Sequence, residues 1–224
     1  MLELRALKDF FLTGLVWGLA ILASIPLVSV IYMLIMEGGA RLDFEAITAL
    51  PPAGFETGGG FGNAIVGTLT MVGIASALSI PIGTMAALYL AILNPNSKTA
   101  TVSRFLAKVL TGFPSILAGV FVYAVIVITT GTYSAWAGGV ALAVLMLPTV
   151  TLAAEEAMKQ VPQRMKDAAF GMGCTRTQVI FKVVLPTALP GIMTGVILAV
   201  AGAAGESAPL LFTALFSNYY MSEL

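Results

Sequence analysis

Histidine is absent from this 224-residue chain, which removes the commonest general base and metal ligand. A single cysteine, Cys174, is present, so neither a disulfide framework nor a thiolate metal site can form within one chain. Charge is scarce: Asp, Glu, Lys and Arg make up 10% of the residues, where a soluble domain needs roughly 25% to cover its surface. The outer surface must therefore face lipid. The net charge is zero and gives no reason to expect nucleic acid as a partner. A membrane-embedded enzyme is disfavoured by the missing histidine and by the lack of any acid pair in the apolar runs. Gly58-Gly59-Gly60-Phe61-Gly62 could suggest a phosphate cradle, but it lacks the strand, helix start and Lys of a nucleotide loop. It reads as a flexible lead into the helix that follows.

Hydrophobic residues supply 58% of the chain, and the mean hydropathy is +0.98. Five runs of about 20 or more mostly apolar residues predict spanning helices over residues 10–36, 64–93, 105–129, 135–154 and 187–216. An open strand would leave backbone groups unpaired in hydrocarbon, so the fold class is all-α, a polytopic helical membrane protein. The first run is too long for a secretory signal and has no small-residue cleavage site at its end. With the N-terminus inside, ten of the eleven basic residues lie at the cytoplasmic face and only Arg41 lies opposite, a strong positive-inside bias. The outer loop, 37–61, carries Glu37, Asp43, Glu45 and Glu56 instead. Five spans would leave Leu224 outside, and a sixth helix is expected beyond it. Pro81, Pro114, Pro148, Pro190 and Pro209 interrupt the runs; each removes a backbone donor. Simple bending and a flexing gate are both open, the gate best placed at Pro114 and Pro209, beside Ser115 and Glu206-Ser207.

The most informative stretch is a polar island, 155–186, holding Lys159, Arg164, Lys166, Arg176 and Lys182 between two apolar runs. Pro162 suits a first helical turn, residues 163–173 follow with helical spacing, and Gly173 is a natural stop. Thr175-Arg176-Thr177-Gln178 reads as a capping box that opens a second helix. The result is a short helix across the membrane face, with Ala168 and Ala169 small and Phe170 and Met172 as apolar knobs. Such a helix fits a groove on a cytosolic partner or rests on lipid headgroups.

Within the island, Asp167-Ala168-Ala169, Gly173 after three residues, and Val183-Val184-Leu185-Pro186 after nine more resemble the EAA loop of ATP-binding-cassette importer permeases. Asp replaces Glu at 167 and Val replaces Ile at 183. Gly205-Glu206-Ser207-Ala208-Pro209-Leu210-Leu211-Phe212-Thr213-Ala214 resembles the fifth-helix signature of Pst-type phosphate permeases, and Phe113-Pro114-Ser115-Ile116 also fits. The resemblance covers residues 62–216. It implies a type I ABC importer permease fold in a bacterial or archaeal plasma membrane. Residues 1–61 would form a first helix and outer loop, and 62–224 the permease core with its coupling loop at 155–186. Asp167, Ala168, Ala169, Phe170, Gly173, Leu185 and Pro186 would couple to the ATPase. Ser115, Glu206, Ser207 and Pro209 would lie in the translocation path or its gate.

The partners implied are a second permease subunit, two cytosolic ABC ATPase subunits and an extracytoplasmic phosphate-binding protein. No catalytic residue, metal or cofactor belongs to this subunit in that picture. Another oxyanion, such as phosphonate or molybdate, is the nearest alternative; a proton-coupled secondary carrier using Glu206 is the alternative of a different class. In the family an Arg commonly stands one turn before the Glu, and here that position is Gly202. The anion path would then take its positive charge from elsewhere, such as a partner permease. A charged Glu206 in lipid would cost about 2.5–3.5 kcal/mol, so it should face the bundle interior, a pore or a partner cation. A salt-bridged gate, a structural ion pair and a protonated hydrogen-bond donor all remain open. Gly191, Gly195, Ala199 and Ala203 make a small-residue face on the fifth run, for packing within the bundle or against a second permease.

Overall fold

A computed structural model describes residues 2–54 and 58–220. Glu56, Leu224 and the Arg5 side chain lie outside the described residues. The described residues are helical with no strand among them. They fall into two compact units, Met1–Gly62 and Asn63–Leu224.

In the first unit, α1 (Leu2–Met33) continues through Leu34–Gly38 and Gly39–Arg41 as one apolar helix long enough to cross a membrane, none of its most apolar window buried. Asp43 then caps α2 (Phe44–Thr48), its carboxylate accepting the Ala46 N–H at 2.7 Å. The glycine run that follows is a built turn, not a flexible lead. Gly60, Phe61 and Gly62 donate their N–H groups to the carbonyls of Leu50, Ala46 and Ala49 at 2.9, 2.8 and 3.0 Å. Gly59 has φ +71°, and a Cβ on Gly60 would fall onto the carbonyl of Ala46. Only glycine satisfies both demands, the left-handed backbone and the close approach.

In the second unit, α3 (Gly62–Leu88) ends in a widened turn, Tyr89–Leu93. The chain continues through α4 (Lys98–Thr111) and α5 (Ser115–Val122), the latter running on through Tyr123–Val127 to Ile128–Thr130. α6 (Ala135–Lys159) is the central helix, 61% of its apolar window buried. Leu142, Met146, Val150, Ala154 and Met158 recur along its length in the core. This is the face that lets α3, α4 and the later helices pack around one axis. Then come α7 (Gln163–Gly171), α8 (Arg176–Val179) with a wide turn Ile180–Val184, α9 (Leu185–Gly205) and α10 (Leu210–Thr213).

Two of the five predicted spans are broken, each at a proline. The run 105–129 is not one helix: α4 and the helix from Ser115 to Thr130 meet at 105°. A helix continued through Pro114 would set its ring against the carbonyl of Leu110, and α4 stops at Thr111 instead. Among the described residues, four helices are therefore long and apolar enough to span, or five if the bent pair counts as one. The run 187–216 breaks as well. Pro209 would meet the carbonyl of Gly205; α9 ends there, and Glu206 turns extended at ψ 117°. Pro81, Pro148 and Pro190 stay inside continuous helices.

The fourth span also reaches one turn further than 135–154, to Lys159, which carries Glu155 into the protein. The small-residue face of α9 packs within the bundle: Cβ atoms on Gly191 and Gly195 would collide with the Ala157 and Ala153 side chains of α6.

Candidate functional site

The predicted coupling segment is a distinct helix with a defined stop. Pro162 precedes α7 with ψ 134°, and the helix closes on Gly173 at φ +86°. There the Gly173 N–H donates to the Phe170 carbonyl at 2.9 Å and the Cys174 N–H to the Ala169 carbonyl at 3.1 Å. These are the paired bonds that end a helix on a left-handed residue. Cys174, half-buried, packs against the core cluster that includes Ala169, the apolar contact that accompanies this closure. Thr175 and Gln178 form the predicted capping box for α8, with the Thr175 N–H on Gln178 Oε1 at 2.8 Å.

Asp167 and Ala168 are exposed, Asp167 accepting from Gln163 Nε2 at 2.9 Å. Ala169 is the residue of this helix that anchors it, at 2% exposure. Phe170 and Met172 stand out at 47% and 78% exposure, a large cost for apolar side chains in water unless something covers them. Leu185 and Pro186 are not on this exposed face; they begin α9, Leu185 against the core.

The four residues expected in the translocation path or its gate gather at the two proline breaks. Ser115 and Glu206 line one cavity of about 340 Å³ with Thr111, Phe113, Thr149 and Gly202. Gly202 is open, with nothing within 4 Å of a Cβ built there. Ser207 and Glu206 line a second, smaller cavity of about 150 Å³ with Thr68, Met71 and Leu142. Pro209 is buried and lies on α5: a Cβ on Gly119 would sit 2.7 Å from the Pro209 Cα and carbonyl oxygen. Glu206 is half-buried and makes no ion pair among the described residues. Around Glu206 the two cavities set the oxygen-bearing side chains of Thr68, Ser115, Thr149 and Ser207 in an otherwise largely apolar wall.

A charge cluster lies where sequence reasoning placed only loop charges. Glu155 is 3% exposed; its Oε1 takes Arg104 Nε at 2.5 Å and Lys159 Nζ at 2.7 Å. Arg104 also donates to the Pro95 carbonyl at 2.8 Å and to the Leu90 carbonyl at 2.6 Å. A partial signal was present in Glu155-x-x-x-Lys159, an acid one helical turn before a base. Arg104, 51 residues away, carried none.

A family model described as "Binding-protein-dependent transport system inner membrane component" matches residues 79–219. The chain belongs to that family. The probable phosphate transport system permease protein PstA of Methanocaldococcus jannaschii is 39% identical over 211 residues, covering 94% of this chain and 74% of the relative. The PstA of Haemophilus influenzae is 39% identical over 97% of this chain and 77% of its own length; that of Pasteurella multocida is 38% identical over 99% and 75%. Among solved structures, an inward-facing form of the MetNI methionine ABC transporter aligns with a TM-score of 0.56 at 24% identity, over 63% of this chain and 68% of that one. This last likeness concerns the fold alone. The family member described here is thus a multi-pass inner-membrane permease of the ABC importer type, with the all-α permease fold.

Proposed function

We propose that this chain is a transmembrane permease subunit of an ATP-driven importer for inorganic phosphate. It forms half of the translocation path, and ATP is hydrolysed on partner subunits. The observation that carries the reading is its similarity, over nearly its whole length, to permeases of phosphate transport systems. The exposed α7 supports the coupling half of the reading: Phe170 is an apolar knob beside exposed Asp167 and Ala168, while buried Ala169 and left-handed Gly173 fix the helix that carries it, the shape a groove on an ATPase subunit would grip. Leu185 and Pro186 would set the angle at which the stalk re-enters the membrane.

Residues 62–224 are the permease core in this reading, with 1–61 as an added helix and outer loop. The loop charges orient the N-terminus and α7 toward the cytoplasm. A second permease completes the path, two ATPases drive it, and an extracytoplasmic binding protein delivers phosphate. The two permeases rock between inward- and outward-facing states. Ser115, Glu206, Ser207 and Pro209 form the path wall or its gate. A bare carboxylate repels phosphate, so Glu206 is a gate residue and not the phosphate ligand.

Phosphate uptake by membranes carrying the whole transporter, with and without Gly173→Asp, tests this. Uptake should require ATP and should fail in the variant; normal ATP-dependent uptake by the variant contradicts the docking role. Competition by phosphonate or molybdate that exceeds competition by phosphate favours another oxyanion. Full-speed uptake with no ATPase bound favours a secondary carrier.

A further inference from the structure

Two arginines hold the inner end of α3 from different sides. A helix end leaves its last carbonyls without intrahelical partners. Arg176, the first residue of α8, donates Nη2 to the Ile92 and Leu93 carbonyls at 2.8 and 2.7 Å. Arg104, on α4, donates to the Leu90 and Pro95 carbonyls of the same end at 2.6 and 2.8 Å. Its Nε is spent on the buried Glu155 of α6. A guanidinium is a planar fork of five donors, so each such contact fixes direction as well as distance.

The positions of the two arginines differ in what they connect. Arg176 lies three residues beyond Gly173, at the root of the exposed helix α7. Arg104 lies in the middle of α4, whose far end supplies Leu110 and Thr111, with Phe113 just beyond it, to the region of the Glu206 cavity. The carbonyls of 90–95 are therefore a shared anchor between the coupling segment and the broken span. If that anchor shifts, Arg104 must lose charge-assisted bonds, which are roughly twice as strong as neutral ones, or carry α4 along with it.

We propose that Arg176 and Arg104 are positioning residues for transport: they pass movement of the coupling segment through the inner end of α3 to α4, and so to the Pro114 break beside Glu206. The inference rests on the reading of this chain as the permease of an ATP-driven phosphate importer. It assigns the two arginines a part in transmission that neither docking nor solute contact would give them.

The test uses the complete transporter in phospholipid vesicles with its binding protein, measuring phosphate accumulated and ATP hydrolysed per assembled complex. Arg176→Gln should assemble and hydrolyse ATP while moving about tenfold less phosphate per ATP, within the range of ordinary coupling effects. Arg104→Gln should act in the same direction. Because Arg104 also holds a buried acid, its variant could fail to assemble; the exposed Arg176 then decides alone. An unchanged ratio of phosphate to ATP in Arg176→Gln overturns the proposal, including the case in which less complex forms but each copy works normally. Wild-type vesicles that hydrolyse ATP and accumulate no phosphate overturn the importer reading itself, and the proposal with it.

Discussion

The Cys174 N–H reaches back to the Ala169 carbonyl at 3.1 Å, and the bond exists because Gly173 between them turns left-handed at φ +86°. A Cβ at Gly173 would meet nothing within 4 Å, so any substitution there is penalised through backbone conformation and not by collision. A side chain in that conformation costs roughly 1–2 kcal/mol, with Asn least affected because its side chain can bond locally. Gly173→Asn should therefore be the mildest variant, Gly173→Ala worse, and Gly173→Val worst. Thermal unfolding of the purified transporter should follow that order, and ATP-dependent phosphate uptake should fall with it.

Glu206 sits where α9 stops, in a cavity shared with Ser115 and Thr149. Glu206→Gln keeps the shape and removes the charge. If the carboxylate is a gate, uptake should drop by about tenfold, equivalent to ~1.4 kcal/mol of barrier, while ATP hydrolysis continues. Full transport by this variant across the accessible pH range would remove the gate role.

The helical class, the first two apolar helices and the short helix after Pro162 with its glycine stop were legible because they depend on local rules. Apolar run length, a proline at a helix entry, a glycine at its exit and a capping box each act within a few residues. The two breaks were half legible. Pro114 and Pro209 stood out as interruptions, but so did Pro81, Pro148 and Pro190, which the helices accommodate. What separates the two groups is tertiary. Pro209 is seated on the backbone contact with Gly119, and no spacing in the chain announces a partner 90 residues distant. The Arg104–Glu155 pair was hidden for the same reason. Gly58–Gly60 misled differently: a glycine run looks flexible by composition, yet here it supplies a left-handed turn and a close backbone approach.

The Gly119–Pro209 contact joins the two proline breaks directly. A methyl group added at Gly119 would press on the Pro209 backbone, which cannot move as a flexible side chain end would. Overpacking of this kind costs about 1–3 kcal/mol. Gly119→Ala should lower the midpoint of thermal unfolding, and Gly119→Val more so. Since α5 and the Glu206 turn would be forced apart, phosphate uptake should fall further than the loss of folded protein accounts for, measured as uptake per assembled complex.

The ion cluster at the C-terminal end of α6 makes an unequal prediction for its members. Glu155 is buried and holds two cations, whereas the Lys159 side chain is 43% exposed and can be rehydrated. Removing one partner of a buried pair costs about 3–5 kcal/mol, because a charge is left without compensation. Arg104 retains its bonds to the Leu90 and Pro95 carbonyls and its side chain is 22% exposed, so the loss in Glu155→Ala should lie toward the lower end of that range. Lys159→Ala leaves Glu155 paired with Arg104 and removes a cation whose own end is exposed, so its cost should lie near the ~0–1 kcal/mol of an exposed pair. Glu155→Gln should fall between them, keeping an acceptor for Arg104 without the charge. Denaturation midpoints of the three variants in one detergent test the order, and a Lys159→Ala loss as large as that of Glu155→Ala would show that the burial of Glu155 does not govern the cluster.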